Sequence, residues 1–410
     1  MSRPSGKMLG AALLSLCLLS SLTGCLQTTQ TSQPSPNRSQ SQITHHTTPP
    51  QENQIFSLPN LSWMSSSDGE GFYLPGRNLL EYYDPETQTR IPLCSQSGCS
   101  HSGESCEAWL AADCQGFVVY DNSWYVLTTE AGSHAVLWKI DLDTHQRTKL
   151  CDMAPKADQQ RYYFSSGYVS HGYAYLHLRH QLTWKQQLVE EPSLIRVNLA
   201  NGSVETLVEN VTVTFLGAGT ERVLLAIETF AVTPLSEKEY LNQHPDGNYY
   251  AYLQTQLAEN GSGGVELREY TPDMSSYQVL TKGNVWVSTS LSQCRYGDYT
   301  LYAVDDTLYV YNLSTGESRQ VAEESVLTNF WFIDGQIIYL VRNKEFFARY
   351  TDVMVSTTHT LENESNQQGV VFSSHGECQN YVFGLYDGEE CLMTKDDFFA
   401  ERYENVIPIP

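Results

Sequence analysis

From residue 55 to the C-terminus, apolar and polar residues alternate in short runs, and turn residues separate these runs. Alternation with a period of two is typical of half-buried β-strands. Clear examples are residues 116–120, 123–127 and 336–340. No long stretch keeps the 3.6-residue period of an amphipathic helix. The pattern therefore predicts an all-β domain.

One phrase recurs along the chain: a strand, then Asp or Asn, a turn, and a second strand, as in residues 80–87 and 310–316. An Asp or Asn side chain caps such a turn, and Gly accepts positive φ, so the phrase predicts a hairpin. The phrase occurs seven times, and one residue marks the position of each copy: Tyr83, Ile140, Val197, Tyr270, Tyr311, Tyr350 and Leu392. The spacings between them are 57, 57, 73, 41, 39 and 42 residues.

A period near 40 residues with four short strands is typical of a β-propeller blade. Seven copies favour seven blades, with six as the runner-up, since the first and last copies would then complete one blade together. A pair of stacked sandwiches is the structural alternative. The longer spacings predict insertions, and we expect a short helix and a loop at residues 235–259.

The N-terminus carries an export signal. Arg3 and Lys7 precede an uncharged apolar run at residues 8–22, which is too short to span a bilayer but fits a secretory signal. The sequence Leu-Thr-Gly-Cys at residues 22–25 resembles the lipobox of bacterial lipoproteins. The resemblance implies cleavage after residue 24 and acylation of Cys25. A cleaved signal with an incidental Cys is the alternative.

Residues 25–54 are rich in Gln, Ser, Thr and Pro, with almost nothing apolar. Such a segment buries too little surface to offset its ordering entropy, so we predict a disordered tether between a signal peptide at 1–24 and a propeller domain at 55–410. The chain would be held on the extracytoplasmic side of the cell membrane by its lipid.

Charge excludes one class of partner. The 410 residues include 47 acidic and 24 basic side chains, for a formal net charge of -23 and no Lys/Arg run. Such a field repels phosphates, so nucleic-acid binding is rejected. Hydrophobic residues make up 41% of the chain and charged residues 17%, which is typical of a folded domain.

A cysteine cluster follows the first hairpin: Cys94, Cys99, His101 and Cys106 form Cys-x4-Cys-x-His-x4-Cys, and Cys114 lies nearby. Three thiolates and one imidazole would satisfy a structural zinc. Exported cysteines commonly form disulfides, and the four cysteines would make two bridges. Reduced thiols are the third alternative. All three alternatives make the segment a pinned loop, and none makes it catalytic.

This segment resembles one in uncharacterised lipid-anchored TolB-like β-propeller lipoproteins of Gram-positive gut anaerobes, and residues 394–399 are similar to the end of that group. The resemblance extends over roughly residues 70–410. It implies the fold and the location, and it supplies no activity.

No His-Glu-x-x-His, Walker A or Gly-x-Ser-x-Gly motif is present. We therefore favour a non-enzymatic binding or scaffold module for a protein, peptide or glycan at the cell envelope, with no cofactor beyond the structural zinc. The alternative is a polysaccharide hydrolase or lyase with its site at the propeller channel. An enzyme predicts clustered carboxylates with perturbed pKa values, whereas a binding module predicts an aromatic patch.

Overall fold

The structure is a computed structural model that describes residues 54–55, 64–65, 69–75, 79–109, 114–155, 160–287, 294–323, 327–341, 346–352, 355–362, 372–400 and 402–409. The predicted signal peptide, Cys25 and all of the tether except Gln54 lie outside these residues. Gln54 lies in a two-residue strand. Among the residues described, no helix has the length and apolar character needed to cross a bilayer.

The fold is a β-propeller built from antiparallel sheets. Blade 1 contains β2 (Met64–Ser65), β3 (Phe72–Pro75), β4 (Leu80–Asp84) and β5 (Thr89–Pro92). Blade 2 contains β6 (Cys114–Tyr120), β7 (Ser123–Glu130), β8 (His134–Asp141) and β9 (Arg147–Met153). Blade 3 contains β1 (Gln54–Ile55), β10 (Arg161–Ser170), β11 (Tyr173–Trp184), β12 (Gln187–Asn198) and β13 (Val204–Glu209).

The second half of the chain continues the same arrangement. Blade 4 contains β14 (Val213–Ala218), β15 (Val223–Phe230), β16 (Ser262–Tyr270) and β17 (Tyr277–Gly283). Blade 5 contains β18 (Val285–Trp286), β19 (Arg295–Tyr296), β20 (Tyr299–Val304), β21 (Thr307–Asn312) and β22 (Ser318–Glu323). Two hairpins follow, β23 (Leu327–Ile333) with β24 (Gln336–Val341), and β25 (Phe346–Asp352) with β26 (Val355–Glu362). Blade 6 contains β27 (Ser373–Glu377), β28 (Tyr381–Tyr386), β29 (Glu389–Thr394) and β30 (Ile407–Pro408).

The described strands form six blades of four or five strands. This supports the runner-up count of six and does not support the preference for seven. Six of the seven repeat copies lie in the next-to-last strand of a blade of four or five strands. The copy at Tyr350 lies in β25, which among the described strands pairs only with β26. The ladders of the two hairpins are separate, so the described strands do not join into a seventh sheet. The stacked-sandwich alternative is wrong.

The turns of the repeat form as the sequence predicts. In blade 5 the Asn312 side-chain oxygen accepts hydrogen bonds from the backbone N–H groups of Ser314 and Thr315, at 2.9 and 3.0 Å. Gly316 completes this turn at φ +77°. Asp141 makes the equivalent pair of bonds in blade 2. The polar residue of the repeat therefore sets the turn between the third and fourth strands.

Apolar side chains fill the space between neighbouring sheets, and the same packing closes the ring. Phe72 and Leu74 of blade 1 pack with Tyr381 and Phe383 of blade 6, and all four are buried. Every described strand of blade 6 comes from the C-terminal part of the chain. The first and last blades therefore meet through side chains rather than through a shared sheet.

A helical insertion lies between β15 and β16, as the sequence predicts. It contains α1 (Glu237–Gln243) and α2 (Tyr249–Asn260). Two shorter helical segments, α3 (Lys395–Phe399) and a 3-10 turn (Tyr403–Asn405), separate β29 from β30. Asn248 caps α2, because its side-chain oxygen accepts from the backbone N–H of Ala251 at 2.7 Å. Its amide nitrogen donates to Glu191 at 2.8 Å and so fastens the insertion to β12.

Replacing Asn248 with alanine is expected to lower the free energy of unfolding by about 0.5–2 kcal/mol, because the helix loses its cap and its bond to blade 3. Urea unfolding monitored by circular dichroism measures this change. Asn260→Ala is the control, since Asn260 ends the same helix and its side chain bonds only to exposed Gln256. Equal stability of the two variants would show that the cap is energetically irrelevant.

Candidate metal centre and an adjoining cavity

The cysteine loop, residues 94–109, connects β5 to β6 and is attached to blade 1 at both ends. The backbone N–H of Leu93 donates to the carbonyl of Leu80 at 2.9 Å. The backbone N–H of Leu80 in turn donates to the carbonyl of Ala108 at 2.8 Å. These two bonds place the beginning and the end of the loop beside the same strand, β4.

Tight turns bring the predicted ligands together inside the cysteine loop. The N–H of Cys99 donates to Gln96 at 3.2 Å, and the N–H of Cys106 donates to Gly103 at 2.9 Å. Gly98 and His101 have positive φ angles of 75° and 52°. Positive φ is ordinary for glycine and uncommon for histidine, so the local chain is bent to bring His101 towards the thiols.

The donor atoms of Cys94, Cys99, His101 and Cys106 all lie within 4.8 Å of one another. His101 Nδ1 lies 3.3 Å from Cys106 Sγ. One tetrahedral zinc would hold a sulfur and an imidazole nitrogen about 3.6 Å apart. Cys106 is buried and the other three residues are half-buried. The four side chains therefore fit a closed, four-coordinate metal site, which is one of the three alternatives for this cluster.

The two thiols at the ends of this cluster differ in acidity. Partial burial acts to raise the pKa of Cys94, but hydrogen bonds from the backbone N–H groups of Gln96 and Glu107 hold it below its ordinary value. Burial, with the neighbouring thiols Cys94 and Cys99, raises the pKa of Cys106 to about 11. Cys94 is therefore the more acidic of these two thiols. A bound metal would have to displace the protons of the other thiols.

Residues outside the motif fasten the cysteine loop. Glu107 accepts hydrogen bonds from the backbone N–H and the hydroxyl of Ser95, at 2.7 and 2.9 Å, and these bonds hold its pKa below the usual range. Arg147 of β9 donates to the carbonyl oxygens of Glu107, at 2.9 Å, and of Trp109. Sequence reasoning missed Arg147, because nothing in the local pattern connects it to a loop about 40 residues earlier.

All eight described cysteines have free thiols in the structure. Cys114 is not part of the four-residue group. Its thiol donates instead to the carbonyl of Gly116, at 3.7 Å, and burial raises its pKa to about 11. The loop geometry selects His101 rather than Cys114 as the fourth member. The scattered cysteines are buried, as expected: Cys151, Cys294, Cys378 and Cys391.

A cavity of about 460 Å³ lies between the cysteine loop and blade 2. Glu104 and Trp109 line it from the loop. From the sheet of blade 2 it is lined by Val126, Thr128, Glu130, Trp138, Ile140 and Arg147. The cavity therefore combines two tryptophans, aliphatic side chains and a few polar groups, which is the composition typical of small-ligand sites.

Most of the polar groups around the cavity already have partners. The indole N–H of Trp138 donates to Glu130 Oε1 at 2.9 Å, and Lys149 pairs with Glu130 Oε2 at 2.7 Å. Thr128 is an exception. Its side chain is 2% exposed, and its hydroxyl has no hydrogen-bond partner in the part of the chain that the structure describes. A buried hydroxyl without a partner is rare in folded proteins.

The structure also brings two largely covered carboxylates together, those of Asp334 and Glu377, whose side chains are 11% and 10% exposed. Lys395 lies between them, with Nζ 3.3 Å from Asp334 Oδ1 and 2.8 Å from Glu377 Oε2. Burial raises the pKa of Glu377, and the Lys395 ammonium partly opposes that shift. Asp334 lies in the turn between β23 and β24, and Glu377 ends β27. The trio connects this turn to blade 6.

No known family and no curated protein matches the sequence. Among solved structures, an oligogalacturonate lyase in complex with manganese is 11% identical, with 84% of this chain and 90% of the lyase covered and a TM-score of 0.47. A puromycin-hydrolyzing peptidase of Mycobacterium tuberculosis is 10% identical, with 86% and 53% covered and a TM-score of 0.48. The chain thus spans about half the length of that peptidase.

The β-propeller domain of the Trilobed protease from Pyrococcus furiosus, described as having an open velcro topology, is 10% identical. The match covers 82% of this chain and 95% of that domain, with a TM-score of 0.40. At such identities these likenesses concern the fold alone.

Proposed function

We propose that the protein is a lipid-anchored, extracytoplasmic binding or scaffold module of the cell envelope, whose ligand site is the cavity beside the cysteine loop. The observation that carries this proposal is the cavity itself, with its two tryptophans and its unpartnered threonine hydroxyl. Aromatic side chains supply large contact areas at low entropic cost. The candidate ligands are a protein, a peptide or a glycan.

The propeller topology supports a single binding face. The cysteine loop follows the fourth strand of blade 1, and the helical insertion follows the second strand of blade 4. Because strands alternate in direction, both segments leave from the same end of their sheets. Loops gathered at one end of a rigid scaffold commonly carry the binding residues.

A structural metal, zinc by the chemistry of its ligands, is the second part of the proposal. Cys94, Cys99, His101 and Cys106 would hold it, and it would supply a cross-link within a loop that has no other regular structure. All four positions are protein ligands, so the proposed role is structural.

A surface polysaccharide hydrolase or lyase remains the alternative function, and Asp334 and Glu377 are the residues that favour it. An acid–base pair needs one carboxyl group free for the substrate, whereas Lys395 bonds both. The test is to incubate the protein with envelope polysaccharides and assay new reducing ends and unsaturated products. Turnover that disappears in Glu377→Gln would establish the enzyme and displace the binding role.

The binding function is tested by presenting the purified chain to arrays of envelope glycans and peptides. We expect capture of at least one ligand class by the native protein and its loss in Trp138→Ala, which removes the aromatic wall contributed by β8. Capture of equal strength by both proteins would place the site elsewhere. Capture by neither would remove the support for a binding module.

We expect the lipid anchor to depend on Cys25. A Cys25→Ser variant expressed in a bacterium should move from the membrane fraction to the soluble fraction and should lose metabolic labelling with palmitate, because no acyl chain is attached. Cys17→Ser is the matched control, since Cys17 lies within the predicted signal and should leave labelling unchanged. Equal labelling of both variants would overturn the anchor.

A further inference from the structure

We propose that the cavity beside the cysteine loop binds an uncharged mono- or disaccharide unit of a glycan, and that the metal cluster holds one wall of this site in place. The inference rests on the proposed binding function and names its ligand class.

Size is the first argument. At about 460 Å³ the cavity lies in the range of small-molecule sites, roughly 300–1,000 Å³. A stable protein partner would instead need about 800 Å² of surface on each side. The site therefore accepts a compact ligand or one end of a longer chain.

The walls contain aromatic surface on two sides. Trp109 comes from the cysteine loop, and Trp138 comes from the sheet of blade 2. The indole N–H of Trp138 is used by Glu130, so this ring offers its apolar surface rather than a donor. Sugar rings present C–H faces that pack against aromatic rings, while their hydroxyl groups point outward.

Charge in the cavity is internally compensated. Lys149 neutralises Glu130, and Arg147 is bonded to backbone carbonyl oxygens of the loop while it faces Glu104. An anionic ligand would meet the like charge of the Glu104 and Glu130 carboxylates, and a cationic ligand would meet the like charge of the Arg147 guanidinium. An uncharged ligand meets no such penalty.

The hydrogen-bonding groups that remain match hydroxyl groups. The Thr128 hydroxyl, buried and without a partner in the described structure, can both donate and accept. The exposed Glu104 carboxylate accepts. A polyhydroxyl ligand that reaches both would satisfy the buried hydroxyl, which is otherwise costly to leave unpaired.

A peptide is disfavoured by the backbone of the cavity wall. β7 is paired on both sides, with β6 and β8, and β8 is paired with β7 and β9. Neither strand offers a free edge for an added peptide strand, which is a common mode of extended peptide recognition.

The metal cluster controls the loop wall. Glu104 lies between His101 and Cys106 in the sequence, and Trp109 follows three residues after Cys106. Both wall residues belong to the segment that the four ligands would hold together. Removal of the metal should therefore release one wall of the cavity and weaken ligand binding.

The test uses the complete mature chain in a detergent without a sugar headgroup. Cellobiose, maltose and diacetylchitobiose are titrated by calorimetry, with digalacturonate and glucosamine as charged comparators. We expect at least one neutral disaccharide to bind, with affinity reduced tenfold or more in Trp109→Ala and Trp138→Ala, and several-fold in the near-isosteric Thr128→Val. Chelation of the metal should also weaken binding at least tenfold.

Trp184→Ala is the matched control, because Trp184 lies in blade 3, away from the cavity, and the variant should bind like the native chain. The saccharide inference is overturned if a charged sugar binds more strongly than the neutral disaccharides. It is also overturned if none of the disaccharides binds. If the native protein then captures peptides from the array and Trp138→Ala does not, the proposed binding function still holds. If no ligand of any class depends on Trp138, both proposals fail. Unchanged affinity after chelation overturns the role of the metal.

Discussion

Replacing Lys395 with methionine is expected to lower the free energy of unfolding by roughly 3–5 kcal/mol, the largest effect of any single substitution considered for this protein. The Lys395 side chain is 0% exposed and lies within ion-pair distance of Asp334 and Glu377. Without the ammonium, the Asp334 and Glu377 carboxylates would lose the cation that pairs with both of them. Urea unfolding followed by tryptophan fluorescence measures the loss.

Two companion variants separate charge from packing. Adding Asp334→Asn and Glu377→Gln to Lys395→Met should recover much of the stability, because no buried charge remains unpaired. Lys282→Met removes an exposed lysine whose partner is Glu266, and it should cost no more than about 1 kcal/mol. Equal effects of Lys395→Met and Lys282→Met would show that the buried trio is solvated and energetically unimportant.

The protein purified under anaerobic conditions is expected to contain one equivalent of zinc, and Cys99→Ser should reduce that content sharply. The four ligands fit a closed tetrahedral site, and structural zinc in peptides binds with an apparent free energy of roughly 10–16 kcal/mol. Chelation should expose three further thiols to alkylation. Because protons compete for the thiolates, zinc should be released as the pH falls.

Cys114→Ser is the matched control for this site. Cys114 is close in sequence but lies outside the four-residue cluster, so its replacement should leave the zinc content unchanged. The opposite outcome is a protein that contains no metal and in which four cysteines resist alkylation until a reductant is added: Cys94, Cys99, Cys106 and Cys114. That outcome would show two disulfides in place of the metal site.

Local chemistry explains why part of this molecule was predictable. The Asp or Asn of each repeat makes its hydrogen bonds within three residues, as at Asn312, so a short phrase suffices to predict the turn. The Cys/His cluster is confined to residues 94–106, and turns within that segment bring its members together.

Features that depend on distant residues escaped prediction. The cavity requires Trp109 to face Trp138 across the gap between the cysteine loop and blade 2, and Lys395 reaches a carboxylate 61 residues earlier. The preference for seven blades is not supported for a related reason. The repeat at Tyr350 is present in the sequence, but whether its strands join a complete sheet depends on pairing that the local pattern does not encode.

The contact between blades 1 and 6 has a consequence for the folding of the chain under the proposed export. Phe72 and Leu74, 0% and 3% exposed in the finished ring, are covered by residues about 300 positions later, Tyr381 and Phe383. A chain that crosses the membrane from its N-terminus therefore completes blade 1 long before the residues that cover it arrive. Until then the apolar surface of blade 1 is exposed to solvent, which favours aggregation. Joining ends so far apart is also entropically slow, so we expect blades 1 and 6 to meet late in folding.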